Sequence, residues 1–271
     1  MSPRVLIINA DDLGYDPAIT RGLLEAMRGG VVTSATLLVN TPFSEAAAHE
    51  AKGLALGLHL NLARFTPVWE DFPRELLGSE GTFVESRAAA LPTEVVEAEV
   101  RAQLARLEAL TGSAATHVDV HKHLHLHANV LEGLIRVVLD AKLPVRSIDA
   151  MMRHALEKRG VPTNTHFLGD SGDEAYWTLE RFEAEVATLP RAGIIELMCH
   201  PGYRPQTVKG GYAAQREVEL ATFIHPRARE ALSRMGIVPT DYRALTREGR
   251  ASPAATPRPR GTPPPAGDAP A

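Results

Sequence analysis

Short apolar runs rich in Val, Ile and Leu alternate along the chain with amphipathic segments, a pattern that predicts parallel strands covered by helices. The runs place strands at residues 5–9, 33–40, 54–62, 116–121, 145–149 and 194–200. Three helices follow from 3.6-residue periodicity. The first takes Asp16 as N-cap and Pro17 as its opening residue, turns Ile19, Leu23 and Met27 to one side, and stops at Gly29-Gly30. The second begins at Thr93, buries Val96, Val100, Leu104 and Leu107, and ends at Gly112. The third runs from residue 129 to 141 on Val130, Leu134, Val137 and Val138. Residues 63–91 and 163–177 show no sustained period and carry Gly, Pro and aromatic residues, so they read as long excursions of the kind that form lids or binding loops.

With 271 residues, this alternation predicts one α/β domain over residues 1–250, a distorted (β/α) barrel of parallel strands. Residues 251–271 hold seven prolines and no Leu, Ile, Val or Phe, and are expected to be a disordered tail with nothing to bury. A net charge of −4 with 23% charged residues argues against a nucleic-acid partner. No run approaches the roughly 18–20 apolar residues of a membrane span, so no stable membrane insertion is expected. The single cysteine, Cys199, has no internal disulfide partner, and the opening residues lack the layout of a signal peptide; both point to the cytoplasm.

The strand ends are where the pattern breaks. The first strand runs into Asn9-Ala10-Asp11-Asp12-Leu13-Gly14, and two adjacent acids leaving an apolar strand call for a cation or a raised pKa, or else for a helix-start acid beside a solvated neighbour. In Gly57-Leu58-His59-Leu60-Asn61-Leu62 the two-residue strand period puts His59 and Asn61 on one face. The fourth strand, Thr116-His117-Val118-Asp119-Val120-His121, has a polar face as well, and continues Lys122-His123-Leu124-His125-Leu126-His127. Five of the 11 histidines lie between His117 and His127, a density that favours metal ligation over a solvated tract. The sixth strand delivers Cys199-His200-Pro201-Gly202, with Cys199 a small buried hydrophobe and His200 held by the turn at a barrel's carboxyl end. No nucleophile elbow, phosphate loop or paired-cysteine knuckle is present.

Together the motifs 9–14, Val32-Thr33-Ser34-Ala35-Thr36, 57–59, 116–123 and Met198-Cys199-His200-Pro201-Gly202 resemble the YdjC-like carbohydrate deacetylases, which include chitooligosaccharide and hopanoid-associated deacetylases; the likeness spans roughly residues 4–245. The resemblance implies a distorted (β/α) barrel and one divalent metal ion, Mg²⁺ or Zn²⁺, held by Asp12, His59 and His121. Several relatives carry consecutive histidines where this chain has Lys122 between His121 and His123, a departure that bears on substrate contacts rather than on the ligand His121.

On this reading the chain removes the N-acetyl group of an amino sugar: water activated by the metal attacks the acetamide, Asp11 is the general base, and His200 protonates the departing amine. A reference pKa near 6.5 is expected to let His200 carry that proton at neutral pH. Asn61, His125 and Tyr203 are the expected substrate contacts, with His125 a second candidate acid. Phe65, Trp69, Tyr176, Trp177 and Tyr203 are candidate rim rings for a sugar face. The partner is an N-acetylated sugar, an oligosaccharide or a glycolipid head group reached from the surface, and a homodimer is compatible with the sequence. A metal-dependent phosphoesterase would want more carboxylates and cations at the strand ends. A non-catalytic sugar-binding or regulatory protein on the same fold, or a histidine-rich metal buffer, would not need a base and an acid on separate strands.

Overall fold

The computed structural model describes residues 4–208 and 212–246; the expected tail lies outside the described residues. Six parallel strands, β1 (Arg4–Leu13), β2 (Ser34–Leu37), β3 (Leu56–Leu60), β4 (Val118–Val120), β5 (His166–Leu168) and β6 (Gly193–Cys199), form one curled sheet in the order β4-β3-β2-β1-β6-β5. Single bridges from Val118 to Val145 and from Val145 to Thr163 carry the curl round the open side, giving the expected distorted barrel. Eight helices among the described residues cover it: α1 (Pro17–Gly29), α2 (Ser44–Glu50), α3 (Thr93–Thr111), α4 (Ala128–Ala141), α5 (Ala150–Lys158), α6 (Leu179–Thr188), α7 (Ala214–Ile224) and α8 (Pro226–Arg234).

The three predicted helices form with the predicted caps. Asp16 accepts from Ala18 N at 2.8 Å, and Gly112 closes α3 in the left-handed conformation at φ 71. The other carboxylate oxygen of Asp16 accepts from Gln206 N, Thr207 N and Thr207 Oγ1, which ties the start of α1 to the loop after β6. That loop also needs Gly22: a Cβ there would lie 2.8 Å from Gly202 Cα.

Two expectations are corrected. Residues 145–149 are not a strand beyond the bridge at Val145, because the Asn164 side chain takes the backbone partners of Ser147, accepting from its N–H and donating to its carbonyl at 2.7 Å each, while Asp149 caps α5. The stretch 163–177 is not a free excursion: it contains β5, and Trp177 is a core residue rather than a rim ring. Its indole donates to the Met198 carbonyl at 2.7 Å, and it packs against Phe182 and Phe223. The first excursion does lack strands, and α3 anchors it. Buried Glu99 accepts from Val68 N and Trp69 N at 2.9 Å each, and Gln103 holds both the N–H and the carbonyl of Asn61.

The apolar core lies between sheet and helices, whereas the inside of the curl is charged. Buried Arg146 reaches Asp11, Asp119 and Glu196 there, and the floor is closed by Tyr242, which stacks on His117 at 3.7 Å between centroids and donates to Glu196. Such a centre holds only while each charge keeps its partner. Tyr242→Ala removes a buried ring and a donor together, and is expected to cost about 3 kcal/mol or more in urea unfolding; an unchanged midpoint would show that the floor carries no load.

Candidate active site

Adjacent strand residues point to opposite faces, yet Asp11 and Asp12 serve one cavity. The reason is a bulge: the β1–β2 register shifts between Ala10 and Leu13, and Asp12 takes φ 73. Aspartate tolerates the left-handed region better than most residues, at a cost of roughly 1–3 kcal/mol. Lys122 and His123 are also left-handed, at φ 59 and 51, and these two turn the chain sharply after His121.

Asp12 Oδ1 stands 3.3 Å from His59 Nε2 and 3.1 Å from His121 Nδ1, which are 3.1 Å apart. Asp12 Oδ1 and His121 Nε2 have no hydrogen-bond partner among the described residues. Three buried lone-pair atoms with edges of about 3 Å fit a shared cation whose ligand distances are about 2.0–2.2 Å. His59 is set for ligation from behind: Asp119 Oδ1 lies 2.6 Å from its Nδ1, and Thr36 Oγ1 lies 3.2 Å from the same nitrogen while donating to Asp119 Oδ2 at 2.9 Å. A carboxylate on the far nitrogen fixes tautomer and ring orientation. Burial opposes charge on His59, but Asp119, with Asp12 and Asp11, raises its pKa to about 10.

A second triad, Asp11, His59 and Asp119, is also close enough to share an ion. Its carboxylates are already engaged, Asp11 by Arg146 at 2.6 and 2.7 Å and by Asn9 at 3.0 Å, Asp119 by Arg146, Asn9, Thr36 and His59. Asp12, by contrast, keeps Oδ1 without a hydrogen-bond partner among the described residues, so the set Asp12, His59 and His121 is the one with a carboxylate oxygen left to offer a metal. Burial raises the pKa of Asp11, but Arg146 outweighs it and holds the group far below the usual carboxylate range, so Asp11 is ionised at neutral pH.

Asp11, Asp12, His59 and His121 line a cavity of about 120 Å³ together with Tyr15, Arg64, His123, His200, Tyr212 and Arg216. His200 is buried, and Glu219 accepts from its backbone N–H at 2.5 Å. Burial lowers its pKa to about 4, with Arg216 adding to the effect and Asp11 and Asp12 opposing it. Burial therefore favours the neutral ring of His200 over its protonated form. Asn61, His125 and Tyr203 do not line the cavity. Asn61, just past the end of β3, spends its amide on Asn40, Ala63 and Arg64; His125 is sealed behind His123; Tyr203 donates to Glu25 at 2.6 Å under Arg21. Arg146, Thr36, Arg216, Tyr212 and Glu219 were absent from the sequence-based site. A charged residue inside the 145–149 run was the available signal for Arg146; Arg216 lies on an ordinary amphipathic helix and gave none.

The sequence model of the YdjC-like protein family matches residues 5–234. This chain belongs to the YdjC-like family. A carbohydrate deacetylase of Brevibacillus brevis is 37% identical over 230 residues, covering 79% of this chain and 89% of that protein. A carbohydrate deacetylase of Geobacillus stearothermophilus is 34% identical over 248 residues, covering 89% of this chain and 98% of that one. Among solved structures, a protein from Enterococcus faecalis V583 named as a candidate cellobiose-phosphate cleavage protein superposes with a TM-score of 0.79 at 27% identity, over 90% of this chain and 99% of that one. No helix among the described residues is long and apolar enough to cross a membrane.

Proposed function

We propose that this YdjC-like protein hydrolyses the N-acetyl group of an amino sugar with one divalent metal. The observation that carries the reading is the juxtaposition, in one cavity, of the open-faced set Asp12, His59 and His121 with the Arg146-paired carboxylate of Asp11. Relatives named carbohydrate deacetylases supply the substrate class. Two imidazoles and one carboxylate suit zinc better than magnesium, which prefers an all-oxygen shell. When bound, the metal acidifies a water and polarises the acetyl carbonyl.

The chain's own groups move the protons. Asp11, fixed by two guanidinium bonds, takes a proton from the attacking water as the new C–O bond forms. His200 receives that proton and passes it to the amine nitrogen as the C–N bond breaks; the free amino sugar leaves with acetic acid, which gives its remaining proton to solvent to become acetate, and both groups return to their resting states. The neutral resting form of His200 is what this relay needs. A cavity of about 120 Å³ is well below the roughly 300 Å³ at which pockets for whole small molecules begin. It takes the acetamide, and the rest of the saccharide extends toward the hollow of about 560 Å³ that shares Lys122 and His123 with it.

His200→Ala is expected to keep one metal per chain and to lose turnover on an acetamide, but to lose far less on an activated aryl acetate, whose leaving group needs no proton. Equal losses on both substrates would remove His200 from the proton path.

A further inference from the structure

We propose that Arg216 is a second electrophile of this site, its Nη1 donating to the acetyl oxygen of the substrate and then to the carboxylate of the acetate formed from it. The assignment rests on the deacetylase reading but starts from a separate observation. Arg216 is 4% exposed, and two of its three nitrogens are occupied: Nε donates to the Tyr212 carbonyl at 3.0 Å and Nη2 to Asp12 Oδ2. Nη1 is buried and meets no acceptor among the described residues. An unmet donor on a buried cation is costly, and such groups mark places where a ligand completes the shell.

The guanidinium is held still. Its Nε and Nη2 bonds fix the plane, and Tyr212, whose carbonyl anchors it, donates its hydroxyl to Glu219 at 2.5 Å. Glu219, one turn along α7 from Arg216, also holds the His200 backbone, so a single helix face positions both groups. Arg216 lines the same cavity as Asp11, Asp12, His59, His121 and His200. An acetamide entering that space brings one strong acceptor, its carbonyl oxygen, on which negative charge develops as water adds. A preorganised cationic donor there is worth more in the transition state than in the ground state. Arginine stays protonated throughout, so the donor moves no proton and the balance of the hydrolysis is unchanged. A group that served only to neutralise Asp12 would need no third nitrogen left without an acceptor beside the cavity it lines.

The test is acetate binding to the whole, metal-stripped protein, followed by NMR of ¹³C-acetate and of the arginine side-chain signals. Acetate should bind the wild type and shift one arginine resonance, Arg216→Gln should weaken binding at least tenfold and erase that shift, and Arg216→Lys should restore part of the affinity. After metal is restored, Arg216→Gln should lower kcat about 10²-fold with KM little changed. Absence of acetate binding in the wild type, or equal affinity in wild type and Arg216→Gln, overturns the assignment; so does a variant whose only defect is lost metal. If Arg216→Gln fails to fold, the wild-type arginine shift decides alone. Should acetate bind through Arg216 while no N-acetylated sugar is cleaved, the deacetylase reading fails and the carboxylate-binding role stands.

Discussion

Asp11→Asn is expected to keep its metal and to lose turnover by about 10² or more, the usual effect of removing a general base. The ligand triangle of Asp12, His59 and His121 does not include Asp11, so the cation's donors remain. Asparagine fills the same space but cannot accept the water's proton. It also places an amide NH₂ or a carbonyl against Arg146, which keeps Asp119 and Glu196 as partners; the fold should therefore survive with some loss of stability. Because Arg146 holds the Asp11 pKa far down, the wild-type carboxylate stays ionised as pH falls through the ordinary carboxylate range. Any acid limb of the rate profile then belongs to other groups. Metal analysis beside the kinetics separates the roles: metal lost from Asp11→Asn and kept in Asp12→Asn would mean that base and ligand had been exchanged.

His59→Ala and His121→Ala are each expected to abolish tight metal binding and, with it, activity. Each removes one of three donors, and the remaining pair cannot make the two-histidine, one-carboxylate set. The two variants should differ in stability. His59 is tied into Asp119, Thr36 and through them Arg146, so its loss leaves Asp119 with an unmet oxygen in a buried centre. Apart from Asp12 and His59 in the ligand set, His121 contacts Tyr15 and lines the cavity without reaching Asp119 or Arg146, so His121→Ala should unfold close to the wild-type denaturant concentration. Either variant retaining a full metal complement would contradict the ligand assignment.

The barrel was legible because its signals are local. Val, Ile and Leu runs make strands buried on both faces, and Asp16, Pro17 and Gly112 mark helix ends by their own backbone preferences. Short pieces were lost where a side chain replaces a strand partner, as Asn164 does for Ser147, or where a strand is three residues long, as β5 is. The pattern also exposed Asp11-Asp12, His59 and His121 as polar breaks in apolar runs, while the choice of Asp12, His59 and His121 as ligands came from the family resemblance. Arg146, Arg216 and Glu219 act through partners 19 to 204 residues away in sequence, a distance over which pattern and periodicity carry no information. Asn61 and Tyr203 looked like substrate contacts because polarity at a strand end does not say whether a loop or a ligand will use it. Here loops do. His200 was read with its solution pKa, whereas its burial beside Arg216, which lowers that pKa, leaves no mark on the sequence pattern.

The central claim, that a metal held by Asp12, His59 and His121 drives removal of an acetyl group, is tested most directly by acetate released from N-acetylglucosamine, its oligomers, diacetylchitobiose phosphate and N-acetylated glycolipids. The protein is assayed as purified, after chelation, and after stepwise return of zinc or magnesium. Release of acetate and free amine in equal amounts from at least one substrate is expected, lost on chelation and fully restored at about one metal per chain. Release that survives complete chelation, or no acetate from any of these substrates at one bound metal per chain, would contradict it.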